Sequence, residues 1–312
     1  MKVFVTGGTG FVGRYIVREL LGRKHKVSLG VRDLRKALSL FGSGVEVYEV
    51  NFSNRDSIKE ALKNSRAEAV IHLIGILLEN RRKGLTFENV HYLYSANLYE
   101  VAKELGIKRV VHMSALGTHE EAPSRYHRTK WLAEKVLRES GLSFTILRPS
   151  LILGPEQRLF FDMDRITRVF PVVLLPDGGR YRFQPVDVRD VAQCFVEALE
   201  SKGAENKTYE LCGSDVVTFR ELLSDIFSHW GRKVLMLPVP KRLMYCMGKF
   251  AETILQPPPF SSDQMLMMWK DNVCRLVGGA EAGGVRKLLG REPISYRESL
   301  SWALKGYAEL TS

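Results

Sequence analysis

The sequence predicts a doubly wound α/β fold, in which helices cover both faces of a parallel sheet, followed by a small, mostly helical C-terminal lobe. Short apolar runs alternate with helix-length segments through the first 150 residues. Continuous apolar strands separated by helices are typical of parallel sheets built from right-handed βαβ crossovers. A glycine-rich turn directly after the first run agrees with this fold.

The order of the elements follows from the positions of these runs. A first helix is expected at 11–21, and after about residue 150 proline and glycine interrupt the pattern while helical segments dominate. We therefore predict one domain over 1–150 and a lobe over 151–312 that returns at least one strand to the sheet. The triplet at 257–259, three prolines, breaks any helix that reaches it. Strands are expected at 2–5, 27–31, 45–50, 69–74, 109–113 and 144–147.

Composition excludes several classes of protein. The 312 residues are 45% hydrophobic and 26% charged, which is ordinary for a globular protein and excludes a disordered, collagen-like or disulfide-scaffold chain. The four cysteines are far apart and form no CxxC pair, so we expect reduced thiols and a reducing compartment. The histidines form no HExxH motif and no cluster with carboxylates, so no metal is expected. The cysteines are Cys194, Cys212, Cys246 and Cys274.

The chain shows no sign of a signal peptide or of a transmembrane segment. Met1 and Lys2 lead directly into a strand, and no apolar run approaches the roughly 18 residues that a membrane helix needs. We expect a cytoplasmic protein, and peripheral attachment to the inner face of the membrane is an alternative that stays open.

The positive charge is concentrated in one half of the chain. The chain has 46 basic and 35 acidic residues, a formal charge of +11. Residues 1–150 have 25 basic and 15 acidic residues, a net of +10, and 151–312 have 21 and 20, a net of +1. No basic stripe with interleaved aromatic residues and no recognition helix appears, so we expect no nucleic-acid partner.

The glycine-rich turn predicts a dinucleotide-binding site. Residues 6–14 read TGGTGFVGR, so the glycines follow a strand and open a helix. Glycine permits the tight turn and close approach of a pyrophosphate, and the helix N-terminus supplies free N–H groups. That context makes the motif specific. The expected cofactor-binding residues of this turn are Gly7, Gly10, Phe11, Val12, Gly13 and Arg14.

The end of the second strand favours NADP(H) over NAD(H). Arg32 follows that strand, with Arg35 and Lys36 close behind, and guanidinium groups suit a 2′-phosphate. Asp33 is the contrary signal, because a shift of one residue would place a carboxylate at the ribose. Solvated surface charges are the alternative interpretation of this basic group.

A tyrosine and a lysine form a candidate catalytic pair. Tyr126 and Lys130 match YxxxK, open a predicted helix after the fifth strand, and share one helix face. A nearby cation stabilises a phenolate, so we expect Lys130 to lower the pKa of Tyr126. Two further YxxxK matches, at 99–103 and 245–249, lack this position and are interpreted as packing or solvent-facing helix surfaces.

The combination of motifs resembles the short-chain dehydrogenase/reductase superfamily in its extended form, the NAD-dependent epimerase/dehydratase superfamily. More narrowly, it resembles the atypical branch that contains the nucleotide-binding accessory subunit of respiratory complex I and its free-standing bacterial relatives. The stretches that carry the resemblance span nearly the whole chain and are 6–14 (TGGTGFVGR), 69–77 (AVIHLIGIL), 110–117 (VVHMSALG), 126–130 (YHRTK), 147–155 (LRPSLILGP), 182–192 (RFQPVDVRDVA) and 257–273 (PPPFSSDQMLMMWKDNV).

The resemblance implies a Rossmann-type domain with bound NADP(H) and assigns residues to it. The catalytic residues would be Tyr126 and Lys130, with the serine position filled by Ser114 or, in another register, Ala115. Lys130 would also contact the cofactor ribose. The acidic residue usual after the third strand is Asn51 here, and the short segment 115–125 disfavours a sugar-nucleotide epimerase. Further cofactor-binding residues would be Arg32, Asn51, Leu73, Ile74, Gly75, Pro149 and Ser150.

Some features outside this site allow two interpretations each. His72 and His112 are expected in the core, and His127 either faces the substrate or is exposed on its helix. The segment 235–273 is rich in methionine and other apolar residues with interspersed lysine and arginine. It either packs within the lobe or forms an amphipathic surface for a membrane, a respiratory complex or an apolar ligand.

Two functions remain open from the sequence. The first is an NADP(H)-dependent oxidoreductase that transfers hydride to or from an unidentified carbonyl, alcohol or quinone-like substrate. The second is a non-catalytic, cofactor-bound accessory or assembly protein, as the resemblance to the complex I subunit implies. The oligomeric state is not indicated.

Overall fold

The computed structural model describes residues 1–255, 258, 260–274 and 281–312, and in these residues seven parallel strands form one sheet. The strand order is β11-β6-β5-β4-β1-β2-β3. The order reverses between β1 and β4, at a doubly wound switch point where ligands bind in α/β proteins. The strands of the sheet are β1 (Lys2–Thr6), β2 (Lys26–Val31), β3 (Glu46–Glu49), β4 (Ala69–His72), β5 (Arg109–Met113), β6 (Ser143–Pro149) and β11 (Lys207–Leu211).

Helices of the first 200 residues cover both faces of this sheet. A π-helical turn, Glu88–Leu93, leads into α4. The two hydrophobic clusters lie on opposite faces, one built around α1 and α7 and the other around α3, α4 and α5. The helices on the sheet are α1 (Phe11–Gly22), α2 (Leu34–Phe41), α3 (Arg55–Ser65), α4 (Tyr94–Glu104), α5 (Arg125–Glu139) and α7 (Val188–Glu200), whereas α6 (Arg158–Val169) packs in the C-terminal lobe.

The C-terminal lobe combines helices with short strand pairs. A third hydrophobic cluster joins α6, β8, α8 and α12. The short pairs are β7 (Ile152–Leu153) with β10 (Val186–Asp187), β9 (Arg182–Phe183) with β12 (Val217–Thr218), and β8 (Val172–Pro176) with β13 (Leu235–Val239). The helices are α8 (Phe219–His229), α9 (Lys241–Ile254), α10 (Ser262–Met267), α11 (Gly284–Leu289) and α12 (Tyr296–Thr311).

The predicted strands are confirmed, with shifts at their ends. The strand predicted at 69–74 ends at His72, and the Leu73–Ile74 peptide that follows it lies close to Gly7. The C-terminal half returns β11 to the sheet beside β6, as expected. α9 ends at Ile254 and α10 begins at Ser262, on either side of the proline triplet. Pro257 and Pro259 themselves lie outside the described residues.

The expectation of reduced cysteines is wrong for one pair. Cys212 and Cys274 form a disulfide with their Cα atoms 6.1 Å apart. They are 62 residues apart in sequence, so no local spacing announces the pairing. Gln184 brings their neighbours together, because its Nε2 donates to the carbonyl of Gly213 (2.8 Å) and its Oε1 accepts from the Cys274 amide (3.1 Å). Cys194 is free and buried, and Cys246 is free and exposed.

Candidate functional site

The glycine turn lies at the carboxyl end of β1 and has no room for side chains. Gly7 adopts a φ of +73° and accepts a 3.0 Å hydrogen bond from the Gly10 amide. A Cβ at Gly13 would lie 2.3 Å from the Gly7 carbonyl oxygen. Phe11 packs against Gly154 and Val12 is buried, so their amides and not their side chains remain for a ligand.

The N-terminus of α1 is open to an anion. Within the described residues no side chain caps it, because its N-cap residue is Gly10. Free N–H groups and the helix dipole favour a phosphate at such a position. The turn and this helix end therefore fit a dinucleotide pyrophosphate.

Basic side chains flank the turn, and one of them is already paired. Arg14 Nη1 lies 3.2 Å from Glu156 Oε1. Within the described residues, Arg14 Nε is buried without a hydrogen-bond partner. Arg32 is exposed immediately after β2. Both guanidinium groups therefore lie near the glycine turn or the end of β2, and Arg14 shares its charge with Glu156.

The carboxylate of Asp33 has a structural partner. It is the N-cap of α2 and accepts a 3.0 Å hydrogen bond from the Lys36 amide. An aspartate at an N-cap satisfies an N–H that the helix cannot pair internally. This capping role explains why an aspartate follows Arg32, and it requires no contact between Asp33 and a ribose.

Asn51 and the segment after β4 lie along the same edge of the sheet. Asn51 is exposed, and its Oδ1 accepts from the Ser53 amide (3.0 Å) in the turn that leads to α3. Leu73 continues β4 by donating its amide to the Thr6 carbonyl (3.1 Å). A Cβ on Gly7 would be 3.1 Å from the Leu73 carbonyl carbon and one on Gly75 would be 3.1 Å from Lys130 Nζ. The segment 73–75 therefore connects the glycine turn with the lysine.

Lys130 is buried where β4 and β5 end. Its Nζ donates to the carbonyl of Met113 (3.0 Å) and approaches that of Ile74 (3.5 Å). The side chain is 2% exposed, and burial lowers its pKa to about 8, opposed by the carboxylate of Glu134. An ammonium held at this edge of the sheet can bind a polar ligand group that replaces the two carbonyls.

Tyr126 does not behave as its pairing with Lys130 predicts. Burial raises the pKa of its hydroxyl to about 12, and the Asp263 carboxylate acts in the same direction. The expectation that Lys130 lowers this pKa is therefore wrong, because the Lys130 ammonium is directed to backbone carbonyls. The ring of Tyr126 is packed edge-on against His91, His127 and Phe87.

The hydroxyl groups expected near a substrate are occupied by other protein groups. Ser114 is buried, and its Oγ donates to Thr118 Oγ1 at 3.3 Å. Ser150 Oγ donates to Asn272, 2.7 Å from Oδ1 and 3.1 Å from the carbonyl oxygen. Pro149 is buried, and its carbonyl accepts from the Leu116 amide (2.9 Å). These residues thus lie at the carboxyl edge of the sheet, and their polar groups are bonded to other protein groups.

Two histidines beneath the site, His72 and His112, are buried core residues whose pKa values are lowered by burial. His72 bonds Thr6 Oγ1 (2.7 Å) and Ser95 Oγ (2.9 Å), and burial lowers its pKa to about 3. His112 Nδ1 lies 2.8 Å from the Tyr99 hydroxyl, while within the described residues its buried Nε2 has no partner.

His127 fits neither of the two expectations for it. It is buried, its Nδ1 lies 2.7 Å from Ser124 Oγ, and its Nε2 lies 3.0 Å from the Leu116 carbonyl. Burial lowers its pKa to about 4. It therefore fixes the loop before α5 and does not face solvent.

Two residues beside Tyr126 and Lys130 were not predicted from the sequence. His91, in the π-helical turn, is buried and lies 2.9 Å from Thr129 Oγ1 and 3.1 Å from the backbone of Ile76. Asp263 accepts from the amides of Arg125 (2.6 Å) and Tyr126 (3.0 Å). No spacing in the sequence singles out His91; the structure does, because His91 lies in a π-helical turn and such turns are frequent at functional sites. Asp263 lies in the stretch 257–273, which contributes to the family resemblance but assigns no role to any single residue.

The segment 235–273 is partly packed and partly exposed. On α9, Met244 and Gly248 are buried, and a Cβ on Gly248 would lie 2.7 Å from the Ser262 amide nitrogen of α10. A neighbouring side of the helix exposes an apolar stripe that we call the α9 stripe. Packing within the lobe therefore explains one side of α9 only. The stripe consists of Leu243 (53% exposed), Met247 (39%), Phe250 (68%) and Ile254 (59%).

Within the described ranges, no group of His, Cys, Asp and Glu side chains is arranged to hold a metal ion. No helix in that part of the chain has both the length and the apolar character that a membrane crossing requires.

Known proteins match this chain over most of its length. Residues 3–212 match the NAD dependent epimerase/dehydratase family. The mitochondrial NADH dehydrogenase (ubiquinone) 1 alpha subcomplex subunit 9 of Arabidopsis thaliana is 34% identical over 284 residues, which are 86% of this chain and 70% of that protein. The photosystem II assembly factor Ycf39 of Synechocystis is 28% identical over 254 residues, 80% of this chain and 74% of that protein.

Solved structures share the whole fold at low identity. The UDP-glucose 4-epimerase of Thermotoga maritima superposes with a TM-score of 0.75 at 19% identity, over 100% of both chains. The NADPH-dependent quinone oxidoreductase of Escherichia coli, solved with NADPH, has a TM-score of 0.73 at 20% identity, over 96% of this chain and 98% of that one. At these identities the likeness concerns the fold.

A parallel sheet that reverses its strand order beside a glycine turn defines a Rossmann-type protein of the nicotinamide-nucleotide-binding class. The match over residues 3–212 makes this more specific: the chain belongs to the NAD dependent epimerase/dehydratase family. Among its relatives are subunits of mitochondrial NADH dehydrogenase.

Proposed function

We propose that this protein binds NADP(H) and transfers hydride between NADP(H) and an unidentified carbonyl, alcohol or quinone-like substrate. The observation that carries the proposal is the buried ammonium of Lys130. It lies at the carboxyl ends of β4 and β5, beside Gly75, and one helical turn after Tyr126. This edge of the sheet is also the one where the glycine turn opens the N-terminus of α1.

The residues divide the chemistry between them. Gly7, Gly10 and Gly13 would admit the pyrophosphate, and Lys130 would bind the ribose that carries the nicotinamide. NADP(H), when bound, supplies or accepts the hydride. A tyrosine hydroxyl with a pKa near 12 is protonated at neutral pH, so Tyr126 is suited to donate a proton to a substrate oxygen during carbonyl reduction.

The preference for NADP(H) rests on Arg32 and Asp33. Arg32 is exposed at the carboxyl end of β2, and Asp33, which would otherwise favour the 2′-hydroxyl of NAD, is bonded to the Lys36 amide. Because a charge-assisted hydrogen bond contributes about 1.5–3 kcal/mol, Arg32→Ala should weaken NADPH binding roughly tenfold or more. NADH binding should stay unchanged. Lys26→Ala, at the opposite end of β2, is the matched control. Equal NADPH and NADH affinities in the unaltered protein would contradict the preference.

Catalysis is tested with Tyr126→Phe. We expect the purified protein to oxidise NADPH with at least one member of a carbonyl and quinone panel, and the variant to lose this turnover while binding NADPH as before. Mass spectrometry of small molecules that copurify would identify the cofactor and the substrate class together. NADPH that is retained but never oxidised across the panel would contradict the oxidoreductase function.

Retention of NADPH without oxidation would favour a second function, that of a cofactor-bound accessory protein in a membrane-associated assembly. Ser114 and Ser150, the serines expected beside the substrate and the nicotinamide, are bonded to Thr118 and Asn272. The names of the relatives, subunits of NADH dehydrogenase and a photosystem II assembly factor, point in the same direction.

The α9 stripe is the docking surface that we propose for this function. Exposed Arg242 and Lys249 lie beside it on the same helix, and a stripe of this kind with basic neighbours suits an anionic lipid surface. We expect co-sedimentation with vesicles that contain anionic lipid, reduced by Phe250→Glu and by high salt. Leu310→Glu, at an equally apolar but distant exposed position on α12, is the control. Absence of binding at low salt would exclude the lipid surface and leave a protein subunit as the occupant.

A further inference from the structure

Residues 261–274 form a continuous strap across the carboxyl edge of the sheet. The strap begins with α10, beside the N-terminus of α5, and ends at Cys274, beside the end of β11. It therefore passes over the side of the site on which a substrate would lie.

One end of the strap holds the helix that carries Tyr126 and Lys130. The carboxylate of Asp263 accepts from the amides of Arg125 (2.6 Å) and Tyr126 (3.0 Å). These are the first residues of α5, whose N-terminal amides have no partner within the helix. Asp263 is 9% exposed, so this contact is largely shielded from water.

The other end of the strap holds the residue expected beside the nicotinamide. Asn272 accepts the hydroxyl hydrogen bond of Ser150 at 2.7 Å and donates from Nδ2 toward the Leu116 carbonyl at 3.4 Å. Its backbone pairs with Arg182 and Gln184, at 2.7 and 3.0 Å. A ligand that needs the Ser150 hydroxyl must compete with Asn272.

The disulfide closes the strap covalently. Cys274 is fixed to Cys212, which directly follows β11. Cys212 is buried, whereas Cys274 is partly exposed, so Cys274 is the more accessible of the two residues to an external thiol. Because a disulfide restricts the conformations open to the chain it closes, its loss should make detachment of the strap easier.

We propose that Cys212–Cys274 is a thiol–disulfide exchange site that controls how firmly the strap holds Ser150 and the N-terminus of α5. A dithiol reductant attacks one sulfur and forms a mixed disulfide. Its second thiol then displaces the protein sulfur, which leaves two protein thiols and the oxidised reductant. Asp263 is the positioning residue that transmits the state of the strap to Tyr126. The effect on cofactor binding rests on the proposed function, whereas the movement of the strap does not.

Hydrogen exchange of the full chain tests the movement directly. Dithiothreitol is the reductant, and mass spectrometry follows the peptides that contain Arg125 and Tyr126, whose amides report contact with Asp263. After reduction we expect these amides and those of 261–274 to exchange about tenfold faster or more, a fraction of what a typical disulfide contributes. Even without dithiothreitol, the variant C212S/C274S should exchange as fast as the reduced protein. Cys246→Ser should respond to dithiothreitol as the unaltered protein does. If the double variant does not fold, the unaltered protein with and without reductant still gives the comparison.

A second measurement separates the two proposals. NADPH affinity, followed by nicotinamide fluorescence, should rise severalfold on reduction because Ser150 is released. Four titratable thiols in the non-reduced, denatured protein, or unchanged exchange after reduction, would overturn the strap proposal. Faster exchange after reduction without NADPH binding in either state would support the strap and contradict the proposed cofactor function.

Discussion

Glu134 and Arg148 form a bidentate ion pair inside the protein, with Nε and Nη2 of the arginine 2.8 and 2.6 Å from the two carboxylate oxygens. Both side chains are at most 1% exposed. Glu134 lies one helical turn after Lys130 on α5, and its negative charge raises the pKa of that lysine against the effect of burial. The pair therefore joins α5 to β6 and also sets the electrostatic environment of the candidate site.

Removing one partner of this pair should be strongly destabilising. Glu134→Ala leaves the Arg148 guanidinium buried with its main anionic partner missing, which typically costs about 3–5 kcal/mol. Urea unfolding of the oxidised protein measures the loss. The control is Glu292→Ala, which breaks the ion pair with Arg286, where both side chains are about two-thirds exposed. Such pairs contribute about 1 kcal/mol or less. Similar losses in the two variants would contradict the role given to burial.

Stability should increase with pH because of Lys130. Its pKa is about 8 in the folded protein and near 10.5 when unfolded, so between these values the unfolded chain binds more protons. The contribution of Lys130 to the free energy of unfolding therefore rises with pH over this interval, by about 3 kcal/mol in total, while tyrosines with raised pKa values, such as Tyr126, act in the opposite direction near pH 10 and above. The cost of burying the ammonium is fully present below pH 8.

The matching experiment compares two lysines of the same helix. Lys130→Met should remove the increase between pH 8 and pH 10.5, whereas Lys135→Met, at an exposed position, should retain it. Urea unfolding at several pH values gives both curves. Parallel curves for the two variants would show that another group causes the increase.

The sequence predicts the first strand, the glycine turn and the first helix because their determinants are local. A strand, a glycine turn and a helix start lie within residues 2–14, and each depends on neighbours in sequence. The strands of the sheet are recognisable for the same reason, since each is a short apolar run. The exact end of β4 is not recognisable, because the apolar run continues through Leu73 and Ile74, whose peptide lies close to Gly7.

The substrate side depends on contacts between distant residues. Asp263 accepts a hydrogen bond from the amide of Tyr126, which is 137 residues away in sequence, and Cys274 is bonded to Cys212, which is 62 residues away. No spacing rule relates such residues. The pKa of Tyr126 was also wrongly predicted, because helix spacing places Lys130 on the same face but says nothing about the carbonyls of Ile74 and Met113 that engage it.

The glycine turn should fail when Gly13 gains a side chain. Gly13→Ala places a Cβ 2.3 Å from the Gly7 oxygen and 2.7 Å from the Gly8 Cα, so the turn must shift. We expect NADPH binding to be lost and the melting temperature to fall. Gly22→Ala, at the other end of α1, meets no atom within 4 Å, so it should keep its affinity and gain up to about 1 kcal/mol in stability. Normal NADPH binding by Gly13→Ala would show that the turn is not part of the cofactor site.

Asp33 should matter for α2 and not for the choice of cofactor. Asp33→Asn keeps an N-cap acceptor for the Lys36 amide, and Asp33→Ala removes it. The alanine variant should therefore lose about 1 kcal/mol of stability, while the asparagine variant loses little. Because the carboxylate is bonded to its own helix, the ratio of NADPH to NADH affinity should stay the same in Asp33→Asn. Binding titrations with both nucleotides measure this ratio. A marked fall in NADH affinity in Asp33→Asn alone would instead place the carboxylate at the ribose and reverse the cofactor preference inferred from Arg32.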